Sequence, residues 1–391
     1  MQDNAGRAGD PVSLLQELIR RPSVTPEAAG VFDLLEAALA PLGFVVTRLR
    51  FEGDGSYPVD NLFATRAGRP GGKHLLFAGH TDVVPPGDDA AWKRPPFAGE
   101  IVDGTIFGRG AADMKSGIAA FVAAVAVAIA DSTADRGTLS LAITNDEEAD
   151  AVNGTDKLMA WTRSQGHRFD FCIVGEPSSS ARLGDSIKIG RRGSLNGRII
   201  VTGTQGHVAY PDKANNPLPV AAALVTALSG KLDDGTGHFP PSNLEFTSAD
   251  VGNATTNVIP AAVQLRFNVR YNESWIPESL LQSIREVIDN LDKQGTSVEL
   301  ELAGRPSHAF LSPLDGGVDV LIATIARLTN LATELSTGGG TSDARFIAQY
   351  CPVVECGLPG PTMHKVDEHV AVADVEGLAR LYAAFIADYF A

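Results

Sequence analysis

The chain has 391 residues, 44% hydrophobic and 20% charged, which is apolar material for two or three domains and not the polar bias of a disordered chain. Its 47 acidic against 32 basic residues leave a net charge of −15, which repels phosphate backbones and anionic lipid surfaces and excludes nucleic acid and membrane as partners. Three cysteines, Cys172, Cys351 and Cys356, form no CxxC pair, so a disulfide framework and a thiolate metal site are not indicated, and a reducing cytoplasm is expected.

The first residues carry acids rather than the basic and then apolar layout of a leader. Asp10 before Pro11 predicts a capped helix that Pro22 stops at Arg21. Thr25 and Pro26 repeat that signal, and Val31, Leu34, Leu35, Ala38, Leu39 and Leu42 keep helical spacing until Gly43. Strands are predicted at 44–50, 61–65 and 74–79. A loop rich in proline, glycine and aspartate, 83–110, leads to a helix at 116–130. Its apolar run is too short for the roughly 30 Å hydrocarbon core of a bilayer and reads as a buried helix. Strand 139–144, helix 155–165 and strand 170–174 follow. This alternation predicts an α/β fold with a mixed or parallel sheet covered by helices.

From Gly193 the texture changes. Strand 196–202, helix 217–229, strands near Leu244 and at 263–271, helix 277–291 and strand 297–302 form two strand-helix-strand units of the split, ferredoxin-like α+β kind. They predict an inserted domain, 193–304, inside a discontinuous one, 1–192 and 305–391. The first texture returns after Arg305 and Pro306 with helix 318–328, strand 353–357 and a final helix whose Val375, Leu378, Ala379, Tyr382, Ala383 and Ile386 share a face.

Chemistry concentrates at the ends of these elements. In LLFAGHTD, 75–82, an apolar strand stops at a polar end, and the carboxyl ends of such strands are where open sheets place their sites. His80 and Asp82, two apart, share a strand face, so Asp82 can accept a hydrogen bond from the imidazole, as metal-bound histidines usually require. Taken alone, the segment fits a strand closed by an aspartate turn better. Asp113 in GRGAADMKSG, Glu147 and Glu148 in TNDEEAD, Glu176 in VGEPSS and His364 in PTMHKVDEH add donors. Oxygen and imidazole without thiolate suit a hydrolytic zinc, cobalt or manganese site, and the number of donors suits two ions sharing one carboxylate. Glu147 and Glu148 can then divide their work, one binding metal and the other taking a proton from the shared water. Each piece also has a plain explanation, a solvated turn for the acid run and a helix cap for Asp113. His74, His167, His238, His308 and His369 are assigned no role.

Five motifs, GHTDVVPPGD, GRGAADMKSG, TNDEEAD, VGEPS and MHKVDEH, in this order and spacing resemble the M20 metallopeptidase family of di-zinc amidases and carboxypeptidases, from about Leu14 to the final helix. The resemblance implies a mixed-sheet catalytic domain holding two Zn2+ per subunit, with Co2+ able to substitute. It implies His80 and Glu176 on one ion, Glu148 and His364 on the other, Asp113 bridging, Glu147 as general base, Asp82 orienting His80, and a cis Asp113–Met114 peptide. The inserted domain becomes a lid through which a homodimer forms, with His207 of QGHVAYP reaching the other subunit's site to stabilise the tetrahedral oxyanion. KIGRRGS, TQGHVAYPDKANNP, NVIP, RFNVRY and GGTSDARF are similar to one branch of the family, which hydrolyses an acylated diamino diacid. There Arg191, Asn257, Arg270 and Thr341, helped by Gly340 and Ser342, match positions that hold the carboxylates of a small anionic substrate. Bidentate guanidinium is the best reader of a carboxylate, and a chain this acidic needs such local positive sites. Deacetylase, aminoacylase and carboxypeptidase branches share the metal core and remain alternatives. A non-catalytic binding protein of the same fold is disfavoured because all ligands and the base are present.

Overall fold

A computed structural model describes residues 9–391. The described residues form two compact units, one comprising 9–189 with Ser312–Ser336 and Ser342–Ala391, the other Gly190–Leu311 with Thr337–Thr341.

The first unit is built on an eight-stranded sheet in the order Val45–Gly53, Ser56–Arg66, Thr138–Thr144, His74–His80, Phe171–Val174, Val353–Glu355, Ser186–Lys188, Glu334–Ser336. Its first three strands pair antiparallel, while Thr138–Thr144, His74–His80, Phe171–Val174 and Val353–Glu355 run parallel. The sheet is mixed, as the alternation of elements predicts. The parallel strands read as nearly continuous apolar runs, LLFA, LSLAI, FCIV, because helices cover a parallel sheet and leave no wet face. Helix Ser116–Ala130 is buried along most of its length, and Phe121 stacks on Phe77 at 4.3 Å with Tyr382 of Val372–Tyr389 edge-on to both. With the turn before it, this helix is long and apolar enough to cross a bilayer, but it is packed inside the unit, which explains why it is apolar all round.

Asp10 caps helix Pro11–Ile19 as predicted, accepting from the Val12 and Ser13 amides. The matching expectation at Thr25 fails. Helix Val31–Leu39 begins after Gly30 with no side-chain cap, the Thr25–Pro26 peptide is cis, and the Thr25 hydroxyl donates to Asp82 instead. The strand expected at 61–65 extends over Ser56–Arg66, because Asp54 and Gly55, both at positive φ, make the tight hairpin turn that an Asp-Gly pair favours.

The second unit has a five-stranded antiparallel sheet, Gly230–Lys231, Asn243–Asp250, Ala262–Tyr271, Gly193–Thr202, Ser297–Ser307. Helices Leu218–Leu228 and Pro277–Asn290 pack against one face through Leu224, Leu280, Ile284 and Ile288 over Ile199, Leu265 and Val269. Apart from the short edge strand, the chain order is strand-helix-strand-strand-helix-strand with the first and third strands central, the ferredoxin-like arrangement. Arg198 and Arg266 face each other across the sheet, each with its own acid, Glu301 and Asp250.

Candidate metal centre

The parallel strands align their carboxyl ends. His80 lies opposite Thr144, the Thr81 amide donates to the Thr144 carbonyl at 2.9 Å, and the Gly175 amide to the Ala78 carbonyl at 3.1 Å. His80, the 145–148 turn and Glu176 therefore emerge together at the edge where open sheets place ligands. Asp113 arrives from the loop ahead of helix Ser116–Ala130, and the Asp113–Met114 peptide is cis. Met114 next to it packs on the sheet, where a Cβ at Gly79 would meet its Cε at 2.4 Å and displace the end of that side chain.

Two triads result, His80, Asp113 and Glu176, and Asp113, Glu148 and His364, each with donor atoms within 4.8 Å of one another. His80 Nε2 is 3.1 Å from Asp113 Oδ1 and 3.4 Å from Glu176 Oε1. His364 Nε2 is 3.2 Å from Asp113 Oδ2 and 3.0 Å from Glu148 Oε1. Asp113 thus turns one oxygen to each triad. His364 holds φ at +61°, a conformation uncommon outside glycine and concentrated at functional sites.

The donor set fits divalent cations. His80 Nδ1 is 2.9 Å from the Asp82 carbonyl, which can only accept, so Nδ1 keeps a proton and Nε2 is the nitrogen that an ion would take. The charges are those of a site short of cations. Burial and the neighbouring Asp113 and Glu355 charges push Glu176 up to about 8. Burial, with Glu176, Asp343 and Glu148 nearby, pushes Glu147 well above the usual carboxyl range. Hydrogen bonds to Asp113 and Glu148 raise His364 to about 10. Burial alone would lower His80, but the facing carboxylates of Asp113, Asp82 and Glu176 hold it well above its ordinary value. Five acids, Asp82, Asp113, Glu147, Glu148 and Glu176, around two imidazoles need added positive charge, which ions held by these oxygens and nitrogens would supply.

Asp82 departs from expectation. Its carboxylate stands 3.6 Å from His80 Nδ1, and the backbone carbonyl makes the short contact. Asp82 lies beyond the strand end, where Val83 turns to pair with Val24, so the side chain leaves the strand's alternation. Its Oδ2 accepts from the Glu147 and Glu148 amides, each at 3.0 Å, and from the Thr25 hydroxyl at 2.9 Å. The residue fixes the turn that carries Glu147 and Glu148 as well as facing the histidine.

Ser342 belongs to the first unit and is buried, and its hydroxyl donates to the buried Glu355, so it is engaged internally. The remaining predicted substrate residues belong to the second unit. Arg191 is buried and donates to the Gly340 carbonyl at 2.9 Å, so it shapes the 338–341 segment that includes Thr341. Arg270 stands opposite Ser194 and Asn243 in the sheet. His207 and Asn257 meet on a small ribbon, where His207 pairs with Val258 and the Asn257 carbonyl accepts from the Val208 amide. The Ala209 amide donates to His207 Nδ1 at 3.1 Å, which leaves Nε2 as the donor of the exposed imidazole.

Three further buried charged groups carry no ligand signal in the sequence. Asp343 is buried, accepts from the Thr155 hydroxyl at 2.6 Å and is raised by burial to about 6. Glu368 and Arg109 form a buried ion pair at 2.7 Å. Charged residues set among small ones, as in GRG and TSDA, were the available signal.

Nitrogen and oxygen donors gathered in two triads at the carboxyl edge of a mixed α/β sheet define a metal-dependent hydrolase. Residues 76–388 match Peptidase family M20/M25/M40, and the chain belongs to that family. A succinyl-diaminopimelate desuccinylase of Methylocella silvestris is 50% identical over 381 residues, 97% of this chain and 98% of the relative. Among solved structures the chain is similar to the aminopeptidase PepT of Bacillus cereus, with TM-score 0.78, 21% identity and 98% of each chain covered. It is also similar to a dinuclear metal-binding peptidase of the M20 family from Bacillus subtilis, with TM-score 0.70, 14% identity and 99% and 98% covered.

Proposed function

We propose that the chain hydrolyses the amide of N-succinyl-LL-2,6-diaminopimelate to succinate and LL-2,6-diaminopimelate, a step of lysine and peptidoglycan-precursor synthesis in the cytoplasm. The observation that carries this reading is the 50% identity to the Methylocella desuccinylase along nearly the whole of both chains, because metal ligands alone do not discriminate among amidases. The reading includes two Zn2+ per subunit, replaceable by Co2+, and a homodimer formed through the second unit.

His80, Glu176 and Asp113 would hold one ion, and Asp113, Glu148 and His364 the other. When bound, such a pair lowers the pKa of a shared water and polarises the amide carbonyl. Glu147 accepts that water's proton as its oxygen adds to the amide carbon, then gives the proton to the departing amine. Its backbone is fixed for this by the bond from its amide to Asp82 at 3.0 Å. The Nε2–H of His207 of the partner subunit would donate to the oxyanion that develops on the former carbonyl. Arg191, Arg270, Asn257, Gly340, Thr341 and Ser342, the positions matched to carboxylate binding, would hold the substrate's carboxylates, which suits fork-shaped guanidinium donors.

The test is a substrate panel on protein stripped by chelation and reloaded with zinc or cobalt. Succinate release from N-succinyl-LL-2,6-diaminopimelate is expected to have the highest kcat/KM. Faster turnover of N-acetylornithine, or of an N-terminal or C-terminal peptide bond, would overturn the assignment.

A further inference from the structure

Glu368 lies four residues after His364, fully buried, with every acceptor position of its carboxylate in use. Oε2 accepts from Arg109 Nη1 at 2.7 Å and the Gly110 amide at 3.1 Å. Oε1 accepts from the Ala112 amide at 2.8 Å and the Asp113 amide at 3.2 Å. These amides belong to the turn before helix Ser116–Ala130, where Asp113 and Met114 leave helical geometry and the backbone cannot satisfy its own donors. One carboxylate from another loop does so. The links also run backwards. Arg109 Nη1 donates to the Lys365 carbonyl at 3.2 Å, next to His364, and the Gly108 amide donates to the Glu368 carbonyl at 2.9 Å. The guanidinium is seated over the Trp92 ring at 5.2 Å, which fixes its plane.

A buried ion pair is weak evidence for stability, since apolar residues of like volume often serve as well, and its better attested use is to specify one arrangement. Here the arrangement is specific. The pair joins the loop that carries Asp113 to the loop that carries His364, and those two side chains meet at 3.2 Å in one of the triads. Neither Arg109 nor Glu368 belongs to a triad.

We propose that the buried Arg109–Glu368 pair is a positioning element of the metal centre, setting the register between the Asp113 and His364 loops so that both present donors to the same ion. The inference rests on the two-ion reading above. Partners of this kind, one layer behind the ligands, typically change metal affinity by about 10- to 100-fold.

The test is zinc titration of the chelator-stripped protein, followed by calorimetry against a competing chelator, together with the melting temperature of the metal-free form. Glu368→Gln keeps the side chain's shape, but either orientation of its amide turns an NH2 against two N–H donors. We expect the variant to bind one of the two ions at least about tenfold more weakly than the unaltered protein. A lowered melting temperature with both dissociation constants unchanged would mean a purely structural role and would overturn the proposal. Arg109→Lys, which retains the charge and loses the fork, carries the same test if Glu368→Gln does not fold. A weakening of threefold or more is expected, and unchanged constants overturn the proposal. If the unaltered protein takes up fewer than two ions, the reading of the centre itself fails and takes the inference with it. Two ions bound equally by protein and variants would refute the inference alone.

Discussion

Replacing Asp82 by asparagine separates its charge from its shape. The side chain is fully buried, and its Oδ2 accepts from the Glu147 amide, the Glu148 amide and the Thr25 hydroxyl at 3.0, 3.0 and 2.9 Å. Asparagine can place its oxygen at the same point and keep all three bonds, but as a neutral acceptor. A bond to a charged group contributes about 1.5–3 kcal/mol and a neutral one about 0.5–1.5, so roughly 1 kcal/mol is lost from each. The two amide bonds hold the turn that carries Glu147. If their loss of about 2 kcal/mol falls on the position of the base, kcat drops about 30-fold at 1.36 kcal/mol per decade. The Thr25 bond holds the 23–26 segment, so its share appears in the melting temperature as a few degrees. The assay is steady-state succinate release with metal content measured on the same samples. The expected outcome is two ions per chain and a reduced kcat. A kcat within twofold of the unaltered enzyme would refute the claim that Asp82 acts on the base, and loss of an ion would show that it acts through His80.

Glu147→Gln should retain both ions and lower kcat at least about a hundredfold, the scale of general-base contributions; a small loss in a fully loaded variant would remove Glu147 from that role. His80→Ala removes the only nitrogen of one triad, so metal analysis should fall from two ions to one, and unchanged content would contradict the ligand assignment. His74 gives a pH dependence remote from the centre. Burial depresses its pKa to about 4, with its Nε2 2.8 Å from Ser140 Oγ and its ring against Phe169 and His167. The unfolded chain therefore takes up the proton first as pH falls, so this stabilisation is complete above about 6.5 and lost towards 4. The shift sets a ceiling near 3 kcal/mol, and partial exposure reduces the expected loss to about 1–2 kcal/mol. Urea unfolding of metal-free His74→Gln should depend less on pH than the unaltered protein, and parallel curves would sink the idea.

What the sequence made legible was what neighbouring residues decide among themselves. Asp10 and Pro11 announce a helix start, the apolar run after Ser116 announces a core helix, and a histidine or acid ending an apolar strand announces a ligand at a sheet edge. What stayed hidden depends on partners far along the chain. Thr25 has the residue type of a cap, but Asp82, 57 positions away, takes its hydroxyl. Ser342 stands in a segment matched to substrate binding, yet the strand Val353–Glu355 brings Glu355 to it. Asp82 sits two residues from His80, and strand alternation put its carboxylate on the imidazole; the alternation ends with the strand at His80, and the carboxylate swings to the 147–148 turn. The Asp54–Gly55 hairpin is the exception, because its signal was local and went unread.

The motifs around the centre are therefore more than carriers of single ligands, since several also brace their own turn or another motif. HTD supplies His80 to one triad and Asp82 to the amides of the DEE turn. DEE supplies Glu148 to the other triad, and Asp146 beside it accepts from the Tyr57 hydroxyl and from the Val152 and Asn153 amides that close its own loop. HKVDE supplies His364, and Glu368 holds the amides around Asp113. The acids doing the bracing are buried carboxylates whose acceptors are filled mainly by backbone N–H groups, a use that leaves the triad donors free for ions and gives each loop one position instead of several. Donor groups fixed in this way can lie on five separated segments and still present their atoms within a few ångströms, because each segment is held by its neighbours in the centre as well as by its own secondary structure.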